Sequence, residues 1–352
     1  MNINDLLNST GEWLRGDGPV SDIVISSRIR LARNLADYPF VSRAEPRDRL
    51  KIVDMVRELL AETPSFSDTM FCDISRLDAV DRNLLVERHL ISHELAESEG
   101  PRLALINGDE LFSLMVNEED HIRLQVMKSG FDLHGVWDLA NKLDDEIESK
   151  LVYAFDENYG YLTACPTNVG TGLRISVMLH LPALAITREI ERVFRGLQRI
   201  NLTVRGMFGE GSQALGDFYQ ISNQQTLGRT EANLIEQLSD LVVVIVDYEK
   251  KARQMLLDDD ANTFFDRISR AYGILKTART INSEETLHLL SGIRLGVNLG
   301  LIEDLGIASV NELFLRIQPA HLQKMAGTEL DPADRDIERA KFLRSQLNPN
   351  DE

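Results

Sequence analysis

A chain of 352 residues, 43% hydrophobic and 27% charged, is long enough for one large domain and a smaller one, with the composition of an ordinary globular protein. Its formal net charge of −18 argues against the basic surface that nucleic acid demands. It offers no run of about 18 apolar residues for a membrane span, and two cysteines, Cys72 and Cys165, make no disulfide framework.

The start, Met1-Asn2-Ile3-Asn4-Asp5, lacks the basic and apolar run of a signal peptide, so a reducing cytoplasm is the expected home. From Lys251 onward there are 13 basic and 16 acidic residues, or −3, which leaves −15 on the first 250. An acidic field of this kind suits basic protein partners.

In chain order, Asp22-Ile23-Val24-Ile25 predicts a strand that enters Ser26-Ser27-Arg28-Ile29-Arg30. Pro46 to Leu60 predicts an amphipathic helix with Leu50, Val53, Val56 and Leu60 on one face. Leu103–Asn107 and Leu111–Val116 flank a Gly108-Asp109 turn and predict a hairpin, with His121–Met127 as a third antiparallel strand. Trp137–Phe155 predicts a helix, Tyr159–Ala164 and Leu173–Leu181 two strands, Ala183–Leu197 a helix, and Leu202–Arg205 and Phe218–Ser222 two more strands. Strands joined by short turns favour an antiparallel sheet with helices beside it. After Thr230 only helix and turn are expected, beginning with a long helix over Ala232–Leu257. The Asp258-Asp259-Asp260 triple marks the expected boundary. The fold class is therefore α+β: an antiparallel sheet flanked by helices over residues 1–255, then an all-helical domain over 256–352.

Four segments carry chemistry. Arg28 and Arg30 alternate with Ile29, so both guanidinium groups leave the same side of a strand. Alone, that pattern suits a solvated surface strand equally well. Arg123, Arg174 and Arg205 change its meaning if they converge there, because a nucleoside triphosphate carries about four negative charges and arginine forks bind phosphate oxygens bidentately. No G-x-x-x-x-G-K-[ST] loop and no H-R-D or D-F-G set is present, which excludes the two commonest ATP-site designs. Glu118-Glu119-Asp120 precedes His121 and Arg123 and by itself reads as a solvated acidic turn. A guanidinium stays protonated far above neutral pH. To make it a nucleophile an enzyme needs carboxylates that orient it and accept a proton, and Glu119 with the distant Glu210 would form such a pair. Cys165 opens Cys165-Pro166-Thr167-Asn168-Val169-Gly170-Thr171-Gly172. Cysteine is more often a small buried hydrophobe, as Cys72 is read here, but this loop offers backbone N–H groups beside the arginines.

Together these segments closely resemble the phosphagen (guanidino) kinases. Cys-Pro-Thr-Asn-Val-Gly-Thr matches that family's reactive-cysteine signature. Asn-Glu-Glu-Asp-His and Arg-Gly-x-x-Gly-Glu match its two glutamate segments, and Ser-Ser-Arg-Ile-Arg its first nucleotide-binding arginines. The resemblance implies a twisted antiparallel sheet edged by helices, with ATP held by arginines and Mg²⁺. It assigns ATP contacts to Ser26, Ser27, Arg28, Ile29, Arg30, His89, Arg123, Arg174, Ile175, Ser176, Val177 and Met178, and to Arg205, Gly206, Met207, Phe208, Gly209 and Glu210. It gives Glu119 and Glu210 the guanidinium and the proton, with Cys165 at its border and no protein-held metal.

Phosphagen kinases of animals carry a helical domain before the first arginine segment; here that segment begins at Ser26, which implies an acceptor side open to an arginine displayed on a protein. Both this and the residues past Asp258 resemble the bacterial protein arginine kinases of the McsB type. Their phosphoarginine-reading R-D-x-x-R-A segment is present as Arg335-Asp336-Ile337-Glu338-Arg339-Ala340. Arg335 and Arg339 are i,i+4 neighbours on a helix begun by Asp331-Pro332, so both can reach one phosphoryl group, although the segment alone reads rather as an ordinary ion-pair helix. This likeness implies an allosteric, homodimeric protein arginine kinase acting on arginine-bearing proteins. It further implies delivery of clients to a Clp-type unfoldase and protease, a zinc-binding activator protein, and control of a heat-shock repressor in the stress response. The rival expectations are a kinase for free arginine or another small guanidine, and a non-catalytic adaptor that binds phosphoarginine.

Overall fold

The computed structural model describes residues 2–198, 201–206 and 215–348. The first half of the chain lays down β1 (Val24–Arg33), α1 (Pro46–Ala61), β2 (Thr69–Asp73), α2 (Ala79–Glu87), α3 (His93–Glu97), β3 (Leu103–Asn107), β4 (Phe112–Val116), β5 (Ile122–Ser129) and α4 (Leu133–Glu148). The short strands β6 (Phe155–Asp156) and β7 (Gly160–Tyr161) precede β8 (Leu173–His180), α5 (Pro182–Ile186), α6 (Ile190–Gln198), β9 (Leu202–Arg205) and β10 (Phe218–Asn223). Helices α7 (Glu231–Thr277), α8 (Ser283–Asn298), α9 (Ile307–Arg316), α10 (Pro319–Ala326) and α11 (Pro332–Leu347) follow.

Among the described residues, eight strands form one antiparallel sheet in the order β2-β3-β4-β5-β1-β8-β10-β9. Its two faces differ. Ile29, Leu31, Leu105, Leu114, Leu124, Val126, Ile175, Val177 and Ile221 turn to one side and bury themselves under α1, α4 and α7. On the other side, the described residues cover the sheet at its ends. Near β2 and β3, Cys72, Ala104, Ile106 and Met115 pack with Leu85, Val86 and Leu95 of α2 and α3. At the far ends of β1, β5, β8 and β10, the residues Ile25, Met127, Met178 and Phe218 join Trp13 and the C-terminal helices in a second core. Between these two covers the middle of the face is left to polar groups.

Several elements depart from expectation, each for a local reason. Helix α4 starts at Leu133 because Asp132 caps the Gly135 N–H at 2.9 Å. It stops at Glu148 because the next stretch pairs with the end of β1: Leu35 bridges Tyr153, and Ala154 N–H donates to the Asn34 carbonyl at 2.7 Å. The predicted helix over Ala183–Leu197 is two helices, parted at Arg188, whose φ is 61°. Within Tyr159–Ala164 only Gly160 and Tyr161 pair as strand. The largest difference is α7, which runs straight through Asp258-Asp259-Asp260 for 47 residues. Its apolar positions Phe264, Ile268, Ala271 and Leu275 keep helical spacing beyond the triple and simply change cores, leaving the sheet for the C-terminal helices.

That change of partner is sealed by buried polar contacts. Arg294 of α8 is fully buried and donates to the Ser21 and Asp22 carbonyls at 2.6 and 3.0 Å, to Asn311 Oδ1 at 3.0 Å and to His180 Nδ1 at 3.0 Å. Arg253 of α7 reaches Asp22 and Glu249 at 3.1 and 3.0 Å. The helical part is thereby tied to the strand that enters the first arginine segment.

Candidate active site

Residues directly across an antiparallel pair share a face. Arg30 on β1 lies between Gln125 of β5 and Arg174 of β8, and Arg28 between Met127 and Ser176. Arg123 lies across from Ala32, Ser222 across from Ser176, and Arg205 across from Gln220, which itself faces Met178. By this register Arg28, Arg30, Arg123, Arg174 and Arg205 all emerge on the partly uncovered face, together with Ser26, Ser176 and Met178.

Among the described residues, Arg28 and Arg174 meet neutral hydrogen-bond acceptors. Arg28 donates to Ser176 Oγ at 3.3 Å and to Gln125 Oε1 at 3.5 Å, and Arg174 to Ser222 Oγ at 3.4 Å. These partners are neutral. Burial, then the Arg174 and Arg205 guanidinium groups, pull Arg28 down to about 10. Burial, then Arg28, Arg174 and Arg123, hold Arg30 well below its ordinary value, with Glu118 opposing them. Among the described residues the Arg30 Nε is buried with no hydrogen-bond partner. Clustered guanidinium groups repel one another, and an anion with several oxygens removes that repulsion. The patch suits a polyphosphate.

Arg123 is different. It donates to Glu118 at 2.6 Å, to Glu119 Oε2 at 2.9 Å and to Asp120 Oδ2 at 3.2 Å. Burial alone would lower its pKa, but Glu118, Asp120 and Glu119 together raise it. Arg123 is therefore the cation of a carboxylate-rich end of the face, where it holds those three acids. The three acids separate by exposure. The Glu118 and Asp120 side chains are 0% exposed, whereas that of Glu119 is 44% exposed. Glu118 is also held by Ser92 Oγ at 2.6 Å. Asp120 accepts from Asn34 Nδ2 and from the Ala164 N–H, both at 2.7 Å. Of the three, Glu119 is the one open to a further ligand.

The Asp120 bond to Ala164 places the cysteine loop at this acidic end. Cys165 follows Ala164, is half-buried, and has its Sγ 3.0 Å from Thr167 Oγ1. Thr226 pins the loop from behind through the Thr167 and Val169 carbonyls at 2.9 and 2.6 Å. Two segments 44 residues apart in sequence thus meet at one buried carboxylate.

His89 closes the other side. Its ring stands edge-on to Trp13 with centroids 4.9 Å apart, and its carbonyl accepts from Gln125 Nε2 at 2.6 Å. Burial, then Arg28, His93 and Arg30, depress its pKa to about 3, so the imidazole is neutral. The sign follows: the unfolded imidazole gains a proton below about pH 6.5 while the folded one does not. Stability associated with His89 should therefore fall as pH drops from 6.5 toward 3. A His89→Gln variant should show a smaller loss of urea midpoint than the parent between pH 6.5 and 4.5; an equal loss would contradict this.

Four of the expected ATP contacts point elsewhere. Strand alternation turns Ile29, Ile175 and Val177 into the core on the opposite face, where each is 0% exposed. Ser27 shares that side, donating to the Gly130 carbonyl at 2.9 Å and accepting from the Asp132 N–H at 3.0 Å. Their side chains serve the sheet, not a nucleotide. The arginine face also carries Gln125 and Ser222, which no motif names, although Gln125 stands two residues after Arg123 on the same strand face. Gly206 lies beside β9, while Met207, Phe208, Gly209 and Glu210 lie outside the described residues.

The Arg335–Ala340 segment is on α11, capped by Asp331. Its two arginines part company. Arg339 is buried and donates to the Ile317 and Ile281 carbonyls at 3.0 and 2.9 Å and to Asp336 Oδ1 at 2.5 Å. Arg335 is partly exposed, and Ile337 faces solvent. The expected joint grip on one phosphoryl group is not formed here, because position 339 of α11 points into the second core.

Comparison with known proteins bears on the family and the fold. Residues 51–252 match the family described as ATP:guanido phosphotransferase, C-terminal catalytic domain, and residues 261–352 match the protein-arginine kinase McsB C-terminal domain. A protein-arginine kinase of Halothermothrix orenii is 44% identical over 349 residues, covering 99% of this chain and 100% of its own. That of Symbiobacterium thermophilum is 45% identical over 352 residues, again covering 99% and 100%. Among solved structures, the duplicated taurocyamine kinase from Schistosoma mansoni with bound transition state analog components has a TM-score of 0.61 and 25% identity, covering 67% of this chain and 34% of that one. A lombricine kinase superposes with a TM-score of 0.58 at 24% identity, over 70% of this chain and 75% of its own, which supports the fold. With a family match over more than half its length and full-length relatives above 40% identity, this chain belongs to the ATP:guanido phosphotransferases and, within them, to the protein-arginine kinases.

Proposed function

We propose that the chain transfers the γ-phosphoryl group of Mg-ATP to arginine side chains of proteins. The observation that carries this is the polarity of the exposed face. Arg28, Arg30, Arg174 and Arg205 form its basic middle, and the exposed carboxylate of Glu119, with Cys165 nearby, forms its acidic end. A polyphosphate belongs at the first and a guanidinium at the second.

In the step itself, a guanidino nitrogen of the acceptor forms a bond to the γ-phosphorus while the bond from that phosphorus to the β,γ-bridging oxygen breaks. ADP leaves with the electron pair, and the proton lost from nitrogen goes to a carboxylate. Glu119 is assigned that proton and the orientation of the acceptor, with Glu210 as its proposed partner. The arginines hold the phosphates in line and offset the charge that spreads over the equatorial oxygens. Mg²⁺, carried on the nucleotide phosphates, supplies further charge neutralisation. Among the described residues no group of three or more His, Cys, Asp or Glu side chains is placed to hold a metal. His89 supplies a neutral ring beside Trp13 at the edge of the patch.

Cys165 is assigned a supporting role at the guanidinium. Its thiol makes one neutral contact, and such a bond contributes about 0.5–1.5 kcal/mol. Cys165→Ala should therefore lower kcat/KM by about tenfold or less; a loss of several orders of magnitude would promote Cys165 to an indispensable group.

The preference for protein-borne arginine draws on the relatives' name and on the −15 charge of the first 250 residues, which attracts basic surfaces. Competition separates it from a small-guanidine kinase: millimolar free arginine should leave phosphorylation of an arginine-rich protein unaffected, and saturable inhibition would reverse the assignment. In the same proposal the C-terminal helices dimerise and read phosphoarginine, with Arg335 as first contact and Arg339 available only if α11 shifts. Delivery of marked proteins to a Clp-type unfoldase and protease, a zinc-binding activator, control of a heat-shock repressor and a cytoplasmic setting complete it. No described helix is long and apolar enough to cross a membrane.

A further inference from the structure

The end of α2 holds a buried charged junction that phosphoryl transfer does not call on. Glu87 and Arg88 close the helix, and His89 follows with a φ of 59°. The Arg88 side chain is 1% exposed and that of Glu110 0%. Arg88 Nε donates to both Glu110 oxygens at 3.1 Å, and its Nη2 donates to Glu110 and to the Ser9 carbonyl, the latter at 2.9 Å. Its Nη1 lies 3.4 Å from His321 Nε2, while His321 Nδ1 lies 2.8 Å from Glu87 Oε2. A guanidinium only donates, so Nε2 accepts and Nδ1 carries the proton given to Glu87.

Glu87 also accepts from the Ala320 and His321 N–H groups at 2.7 and 3.1 Å, capping the first turn of α10 from another element. Lys324 of α10 pairs with Asp81 of α2. Helix α10, which belongs to the C-terminal helices, is thus seated on α2 through charged groups, of which the Glu87–His321 link reaches Arg88.

What lies beyond Arg88 is the nucleotide face. The His89 carbonyl accepts from Gln125 Nε2, Gln125 Oε1 accepts from Arg28 Nη1, and the His89 ring stands against Trp13. A positive φ at a non-glycine residue is strained and persists where its surroundings over-determine it. A buried Arg–Glu pair adds little stability over an apolar pair of the same shape, so its presence asks for a geometric role.

We propose that Arg88 is a positioning residue of the nucleotide face: it holds His89 and Gln125 in place for Arg28, and makes that placement depend on the seating of α10 against α2. This rests on the ATP assignment of the face.

Two full-length variants test it. His321→Leu removes the imidazole link between Arg88 and Glu87 and leaves the Arg88–Glu110 pair; Arg88→Met/Glu110→Gln removes both charges so that neither is stranded. Mg-ATP affinity is measured by calorimetry, KM and kcat by turnover, and the His89 surroundings by Trp13 emission in a Trp137→Phe background. Both variants should weaken ATP affinity and raise its KM about five- to tenfold, retain kcat at saturating ATP, and alter the emission change on adding ATP. His321→Gln, which keeps a donor and an acceptor, should restore the parent's KM. Folded variants that bind ATP like the parent, or that lose kcat at unchanged KM, would overturn the proposal while leaving the ATP assignment intact. If the double variant does not fold, His321→Leu decides alone. Failure of the unaltered chain to bind Mg-ATP would overturn both.

Discussion

Replacing Glu119 with glutamine is expected to lower kcat by about 10²–10⁴-fold, the usual contribution of a positioned general base, while leaving ATP affinity and folding almost unchanged. The expectation rests on separation within one acidic run. Glu119 is the exposed member, bonded to Arg123 through a single oxygen, so its loss removes neither a core contact nor the arginine's other partners. Glu118→Gln should do the reverse. That side chain is fully buried against Arg123 and Ser92, so the variant should unfold at lower urea concentration and retain most of its turnover. Steady-state kinetics and urea titration of the two variants check the assignment together. Equal kinetic losses in both would mean that the acids act as a unit.

The second large effect concerns Arg123. Arg123→Met leaves the buried Glu118 and Asp120 carboxylates without their cation, and breaking one side of a buried ionic set costs about 3–5 kcal/mol. Against a typical total of about 5–15 kcal/mol this is a large share. The urea midpoint should drop accordingly at an unchanged slope. The double variant Arg123→Met/Glu118→Gln should recover part of the loss. No recovery would show that Glu118 is satisfied by Ser92 alone. Because Asp120 also tethers Ala164 beside Cys165, loosening this cluster should displace the cysteine loop and reduce turnover as well.

Much of the site could be read from local pattern. Alternation at Arg28-Ile29-Arg30 put two guanidinium groups on one side, and the Gly108-Asp109 turn set β3 against β4. The order of the four motifs pointed to guanidine chemistry. What was hidden depends on register and on which side of an element meets the core. That Gln125 faces Arg30 and Ser222 faces Ser176 follows only once β1, β5, β8 and β10 are aligned. The inward turn of Ile29, Ile175 and Val177 was available from alternation itself, but the motif match named whole segments rather than alternate residues.

Helical spacing likewise made Arg335 and Arg339 neighbours without saying that the Arg339 side of α11 is the buried one. The aspartate triple looked like a break because charge often marks a linker. In α7 it occupies a stretch between two cores, and the apolar spacing on either side carries the helix through. Arg88 gave no signal of its own, since its partners Ser9, Glu110 and His321 come from three distant parts of the chain.

The central claim is tested most directly by incubating the full chain with Mg-ATP, an arginine-rich protein and free arginine together, and locating phosphate by mass spectrometry under conditions that spare the acid-labile N–P bond. Phosphoarginine on the protein, none on the free amino acid, and its disappearance with Glu119→Gln are the predicted result. Phosphate on free arginine alone, or an undiminished protein signal from the Glu119→Gln variant, would contradict the account.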